Sequence, residues 1–278
     1  MLGERIDFTV TTPAARHLFK INPEGQKLEE RRKKVFHSIT NKLLFTEKRL
    51  RPDIETTISF LCRRVTKSDE DDWKKLKRLL AYLKGTIDDY RIMGMDPIEE
   101  TKMRSWIDAS YAVHEDMKSH TGGTTSLGLG TLSNKSSVQK INVKSVCEAE
   151  LVATSEYLPY NIWLKNFLEK QGYVVKENTI YQDNQSAIRL EKNGRNSCTG
   201  NSRHIDIRYF FVKDRVDKKE LQIVYCPTEQ MLADYFTKPL NGSLFKLYRG
   251  VIMGHLTIDK LFKHALKESV GNETLNQS

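Results

Sequence analysis

Three short β-rich stretches follow one another between Arg104 and Val143, and beyond them helical and extended segments alternate; no other feature limits the fold so tightly. The stretches are Arg104 to Val113 (RSWIDASYAV), Thr125 to Ser133 (TSLGLGTLS) and Ser137 to Val143 (SVQKINV), bounded by turn residues such as the TGG at Thr121. Short runs rich in β-branched and aromatic residues read as strands, and three with short connections predict an antiparallel meander. A long apolar helical segment comes next, SVCEAELVATSEYLPYNIWLKNFLEKQG. Pro159 lies inside it and predicts a kink or the start of a second helix, because proline lacks the backbone donor and crowds the preceding turn. Then come a strand at NTIYQ, a helix from about Asn184 to Glu191, a polar loop NGRNSCTGNS, an amphipathic helix RHIDIRYFFVKDRV, a strand LQIVYCP and a helix EQMLADYFTKPL. The order βββαβα(α)βα predicts an α/β fold, a mixed sheet covered by helices.

Upstream, residues 1–100 read as mainly helical. In SDEDDWKKLKRLLAYLKG, Trp73, Leu76, Leu79, Leu80 and Leu83 recur at helical spacing, with Ser68 as the start signal and Gly85 as the stop. The opposite face is strongly basic, which fits a solvated face on a packed helix or a track facing phosphates. HSITNKLLFTEKRLRPDIETTISFLCRRV supplies two more helices parted near Pro52. Residues 255–278 read as a peripheral, partly disordered tail.

The formal charge of +9 suits a polyanionic partner, although a basic balance alone also occurs in proteins that bind nothing charged. Cys62, Cys147, Cys198 and Cys226 form no CxxC pair, so they give neither a zinc spacing nor a disulfide framework and read as reduced thiols. No apolar run approaches the ~20 residues that span a bilayer, and a soluble, intracellular protein is expected.

Within this frame four acidic positions could meet. Asp108 sits mid-strand in SWIDAS, Glu148 and Glu150 lie in the helix after the meander, Asp183 closes a strand in NTIYQDNQSAIRLEKN, and Asp234 lies in the last of the helices above. If the first and fourth strands are neighbours, Asp108 and Asp183 project side by side, with the helices delivering one Glu and one Asp. Like charges so close repel and raise one another's pKa, so such a cluster serves only if divalent cations compensate it. Oxygen ligands select Mg²⁺ or Mn²⁺, and two ions ~3.5–4 Å apart are suited to phosphodiester hydrolysis. With 36 acidic residues, however, a quartet can be drawn in many chains of this size, and spacing alone does not decide.

The motif contexts are more specific. YQDNQSAIRL, SRHIDIRYFFVKDRV, LQIVYCPTEQMLADYFTKPL and, more loosely, SVCEAELVA resemble the ribonuclease H region of copia-type retrotransposon Pol polyproteins, over Ser105 to about Gly254. RPDIETTISFLCRRVTKSDEDDWKKLKRLLAYLKGT resembles the reverse transcriptase thumb and connection that precede it. The resemblance implies a ribonuclease H-like five-stranded mixed sheet flanked by helices over 101–254, after a helical thumb/connection-like segment. It implies an endoribonuclease that cuts the RNA strand of RNA–DNA hybrids with two Mg²⁺ or Mn²⁺ ions. The partners it implies are the hybrid and the remaining reverse transcriptase domains. The setting it implies is intracellular, in a cytoplasmic particle and in the nucleus. Carried over motif by motif, the catalytic and metal-binding residues are Asp108, Glu150, Asp183 and Asp234; Glu148 is the alternative to Glu150. Asn184 and Gln185 are candidates for reaching the minor groove, where 2′-hydroxyls mark RNA; helix capping by Asn184 with Gln185 exposed is the structural alternative. His204 is a proton-carrier candidate or a structural residue, and Asp206 and Arg208 read as local pairs.

Three departures accompany the resemblance. CPTEQMLAD is short and lacks the loop histidine that many ribonucleases H carry; Ser110 stands where copia-type sequences have a second Asp, which reads as a surface change; and Pro159 interrupts a helix that the family keeps continuous. No Tyr-x-Asp-Asp hairpin is present, and the pairs Asp71–Asp72 and Asp88–Asp89 are decoys. Polymerase activity is therefore not expected of this chain alone. A catalytically inactive nucleic-acid-binding remnant is the alternative function, and a partner-docking module is a third.

Overall fold

The computed structural model describes residues 5–193 and 203–262, except for the side chains of residues 193 and 203–206. Five strands form one sheet: β2 (Thr101–Ser110), β3 (His120–Ser126), β5 (Ser133–Val138), β6 (Val175–Gln182) and β7 (Gln222–Tyr225), in the order β5-β3-β2-β6-β7. The meander β2-β3-β5 is antiparallel, while β6 lies parallel to β2 and β7 parallel to β6. Parallel neighbours require crossovers, supplied by α4 (Val146–Lys170) and by α5 (Gln185–Asn193) with α6 (Arg203–Asp217). A two-residue ladder pairs β1 (Gly94–Met95) with β4 (Gly128–Leu129) beside the sheet. Among the described residues no helix is long and apolar enough to cross a membrane.

The meander is present, but its second and third strands begin four or more residues earlier than the sequence patterning suggests. The reason is the TGG triplet, which is mid-strand and not a turn. Gly122 pairs with Asp108, and a Cβ there would overlap Thr237 and the Ala233 carbonyl; one on Gly123, facing the other way, would overlap the Tyr157 ring. Both glycines are needed because chain packs closely on both faces of the same strand.

Pro159 does not divide α4, which runs unbroken for 25 residues. Proline costs the bond to the carbonyl four residues back and crowds that carbonyl, and Pro159 lies on the exposed side. Burial of Tyr157, Leu158, Asn161, Leu164 and Leu168 holds both halves of the helix to the sheet. Two residues past the proline, Asn161 exchanges amide hydrogen bonds with Asn178 of β6 (3.0 and 2.7 Å) and donates to Ser105 of β2 (3.0 Å).

The N-terminal region folds as α1 (Glu30–Arg49), α2 (Glu55–Arg64) and α3 (Glu70–Gly85). Asp69, not Ser68, caps α3: its carboxylate accepts from the amides of Asp71 and Asp72, while Asp72 accepts from the Asp69 amide. Ser68 is buried, and its hydroxyl makes no cap. Arg64, at the end of α2, bridges Asp69 (2.9 Å) and Asp72 (2.8 Å), which fixes the α2–α3 corner. The basic face of α3 is only partly solvated, since Lys75 is buried and donates to the Lys20 carbonyl at 2.6 Å.

Strand alternation divides the core. Ile107 and Ala109 of β2 join Leu151, Ile180, Val212 and Ile223 under α4 and α6. Trp106 faces the other way, stacks on Tyr181 (centroids 5.0 Å apart) and belongs to a cluster that runs from Phe36, Ile58 and Leu76 to Phe236 and Tyr248. That cluster joins the N-terminal helices to α7 (Asp234–Thr237) and α8 (Gly242–Ile252) in one continuous core. Ile258 and Leu261, within the stretch expected to be peripheral, are also buried in it.

The expected helix EQMLADYFTKPL is mostly not helical. It forms a 3₁₀ turn at Thr228–Gln230 and the single turn α7, ending at Lys238, which is extended ahead of Pro239. Met231 to Thr237 are all buried, so this stretch has no polar face of the kind that a surface helix presents.

Candidate active site

The sheet register brings the first two carboxylates together. Asp108 is near the end of β2, and Asp183 is the first residue after β6, the parallel neighbour of β2. Glu150 enters from the first turns of α4. Asp108, Glu150 and Asp183 each offer an oxygen within 4.8 Å of the others. Asp234 stands outside that trio but adjoins it: Lys238 Nζ lies 2.6 Å from its Oδ1 and 3.8 Å from Asp108 Oδ2.

The sequence left Glu148 and Glu150 as alternatives, and the start of α4 separates them. Ser145 caps the helix by accepting from the Glu148 amide at 3.2 Å, and Glu148 Oε2 accepts from the Lys144 amide at 2.6 Å. Glu148 is thus engaged in closing the helix end. Glu150 is buried, and among the described residues its Oε2 has no hydrogen-bond partner. A buried carboxylate oxygen without a donor is costly unless a ligand completes it.

Electrostatics give the same picture. Burial pushes Glu150 well above the usual carboxylate range, and the nearby charges of Asp108 and Asp183 push it further. Asp183 is raised by burial and then by Asp108, against the hydroxyl of Thr228 (3.2 Å from Oδ2) and Lys238. Asp234 is raised by burial and by Asp108, with Lys238 opposing. Lys238 alone does not offset the negative charge gathered in the cup. Oxygen-only donors, mutual repulsion and an unpartnered buried oxygen together fit a hard divalent cation.

Several residues around the cup were not singled out from sequence. Thr237 donates its hydroxyl to Asp108, and Lys238 follows it. The i, i+4 pairing of Asp234 and Lys238 within ADYFTKPL was the available signal. Gln182 accepts from the Asp183 amide at 3.0 Å and helps to shape the turn out of β6. Ser110 is buried, not a surface position, and donates to the Thr237 carbonyl at 3.3 Å; an Asp there would set another carboxylate against that carbonyl oxygen.

Asn184 caps α5 through its Oδ1, which accepts from the Ala187 amide at 3.0 Å, while Gln185 is exposed two residues beyond Asp183. The side chains of His204 and Asp206, and Cys198, lie outside the described residues, and with them the expected local pairs. Asp72 and Asp89, members of the decoy pairs, are bound to Arg64 and Arg249.

An antiparallel three-strand meander continued by two parallel strands, with acidic side chains at the ends of the central pair, defines the ribonuclease H-like α/β class. No protein-family profile matches the sequence. The chain is a homologue of the retrovirus-related Pol polyproteins of plant copia-type transposons. It is 32% identical over 252 residues to the retrovirus-related Pol polyprotein from transposon TNT 1-94 of Nicotiana tabacum, covering 88% of this chain and 18% of the relative. With the corresponding polyprotein from transposon RE2 of Arabidopsis thaliana it shares 29% over 198 residues, 70% of this chain and 13% of the relative. The chain thus spans less than a fifth of the length of these relatives. Among solved structures, a ribonuclease H1 isolated from compost by a metagenomic approach aligns at 16% identity and a TM-score of 0.35, over 49% of this chain and 91% of that one. The same protein solved with an RNA/DNA hybrid aligns at 16% identity and a TM-score of 0.31, over 46% and 88%.

Proposed function

We propose that the chain is a metal-dependent endoribonuclease that hydrolyses the RNA strand of RNA–DNA hybrids, as the C-terminal part of a retrotransposon reverse transcriptase polyprotein. The observation that carries this reading is the convergence of Asp108, Glu150 and Asp183 within 4.8 Å, with one Glu150 oxygen unpartnered. Asp108, Glu150, Asp183 and Asp234 would hold the cations. Bound there, a pair of Mg²⁺ or Mn²⁺ ions supplies charge neutralisation at the phosphodiester and activation of water. Thr237 and Thr228 orient Asp108 and Asp183 by hydroxyl donation. Burial leaves Glu150 Oε2 without a donor. Gln185, exposed beyond Asp183, is positioned to meet the sugar edge of the hybrid, whereas the cap made by Asn184 mainly fixes the turn that presents it.

The test is a labelled RNA–DNA duplex incubated with the purified chain and Mg²⁺. RNA-strand cleavage that Asp183→Asn abolishes is expected. Cleavage indifferent to that substitution sinks the assignment. Salt-sensitive binding of the hybrid without turnover would favour the inactive remnant.

A docking role for residues 1–100 has its own support and accompanies the catalytic reading. Leu50, Leu83, Ile87, Tyr90 and Met93 line an open groove of about 850 Å³ on the N-terminal helices. Ile87 and Tyr90 are 77% and 68% exposed, which is unusual for such side chains side by side. The remaining reverse transcriptase domains are the partner this reading assigns to the groove.

A further inference from the structure

Lys238 occupies a singular place. It is the C-cap that follows the short turn Asp234–Thr237, and its extended backbone ahead of Pro239 lets the side chain double back across that turn. Its ammonium touches Asp234 Oδ1 at 2.6 Å and stands 3.8 Å from Asp108 Oδ2. Arg249 and Arg51 are committed elsewhere, to Asp53, Asp89 and Thr86. Among the described residues, Lys238 is the one cation that forms an ion pair with a carboxylate of the cup.

Resting on the metal-dependent reading above, we propose that Lys238 is a built-in counter-ion on the Asp108–Asp234 side of the cup, which a second divalent cation must displace in order to bind. The geometry separates two halves of the site. Asp108, Glu150 and Asp183 converge with the Lys238 ammonium only at their edge, 3.8 Å from Asp108 Oδ2 against 2.6 Å from Asp234, and Glu150 has an oxygen to spare. Asp234 already has its cation. A first ion therefore enters the trio without dislodging anything, whereas a second, needing Asp234, competes with a tethered ammonium at high effective concentration. The Lys238 side chain is 42% exposed, so it can swing into solvent without unfolding anything, and the competition is screened but real. Lys238 thus acts as a positioning residue that sets the cation concentration at which the site fills.

The experiment counts bound Mn²⁺ by the loss of the free-ion electron paramagnetic resonance signal, without substrate, in the full chain and in Lys238→Met and Lys238→Arg. The full chain is expected to show one tighter and one weaker equivalent. Lys238→Met should tighten the weaker one about tenfold, equal to about 1.4 kcal/mol, and leave the other within about twofold. Lys238→Arg, which keeps the charge, should retain the weak second equivalent. The Mn²⁺ concentration for half-maximal cleavage should fall with Lys238→Met in step with the binding change. A second equivalent that is unchanged or weaker in Lys238→Met overturns the inference while leaving the cation site intact. Mn²⁺ binding that is undiminished by Asp183→Asn removes both this inference and the reading it rests on. Should Lys238→Met fold poorly, Lys238→Gln carries the same comparison.

Discussion

Asp108→Asn is expected to abolish RNA-strand cleavage, by on the order of 10³ or more in rate, while making the metal-free protein more stable. A metal ligand supplies several kcal/mol of charge stabilisation in the transition state, and each 1.36 kcal/mol lost is about tenfold in rate. The stability effect has the opposite sign because Asp108 is the neighbouring charge that raises Glu150, Asp183 and Asp234. A carboxylate whose folded pKa lies above its unfolded value contributes stability that is full below the unfolded value and is lost as pH rises through the folded one. Two further buried carboxylates, Glu47 and Glu191, are pushed up to about 8, so the metal-free protein should lose stability steadily between about pH 4 and pH 8. Removing the Asp108 charge lowers the three neighbours towards ordinary values and flattens that loss. Thermal melts in a chelator at pH 5 and pH 8 check it: the variant should melt higher than the parent at pH 8, by about 2–4 °C for each kcal/mol recovered, and nearly level at pH 5. Mg²⁺ should raise the parent's melting temperature at pH 8 and leave the variant almost unmoved. A variant less stable than the parent at pH 8, with cleavage retained, would contradict the charge assignment on both counts.

The parts of this site that could be read from sequence were those fixed by local chemistry. Asp183 follows a β-branched run and precedes an amphipathic helix, and it lies at that junction in the structure. Asp108 was placed by the alternation of SWIDAS and by motif resemblance. What escaped was set by tertiary approach. The TGG triplet has the composition of a turn, and only the closeness of Thr237 on one face and Tyr157 on the other explains two consecutive glycines within a strand. Pro159 has the composition of a break, yet the buried face of α4 and the Asn161–Asn178 pair keep the helix continuous through it. EQMLADYFTKPL contains good helix formers, but burial from Met231 to Thr237 and the brake at Pro239 leave a single turn. That turn is why Lys238 reaches Asp234; the i, i+4 spacing hinted at the pair, but not at its place beside Asp108. The motif favoured Glu150 over Glu148, and what the sequence did not show is that Glu148 closes the helix end.

Asp53→Ala is expected to be the most damaging substitution for stability, at about 3–5 kcal/mol, because it leaves the buried Arg51 guanidinium without a carboxylate and takes one of two from Arg249. Asp53 is buried in the 3₁₀ turn between α1 and α2. Its carboxylate accepts from Arg51 Nε at 2.9 Å, from Tyr82 of α3 at 2.5 Å and from Arg249 of α8 at 3.1 Å. Burial alone would raise its pKa, but Arg51 outweighs burial and holds it below the usual range, so the contribution of Asp53 is present above the unfolded value near 4 and is lost as pH falls through the folded one. The Asp53 carbonyl accepts from the Tyr235 hydroxyl at 2.9 Å, and Tyr235 is the next residue after Asp234. One N-terminal residue therefore anchors both α8 and the turn that carries a cup carboxylate. If residues 1–100 were a separable appendage, Asp53→Ala would melt their helices and spare the sheet. The continuous core around Trp106 and Phe236 leads to another outcome: a single cooperative transition lowered by about 6–20 °C. Amide exchange at Ile180 in β6 should accelerate together with exchange at Leu79 in α3. Hybrid cleavage should weaken even below the melting range, because the 3₁₀ turn that carries the Asp53 carbonyl, no longer tied to Arg51 and Arg249, shifts under Tyr235 and with it Asp234. Protection at Ile180 that survives while Leu79 exchanges freely would mean that the helical segment only leans on the nuclease fold.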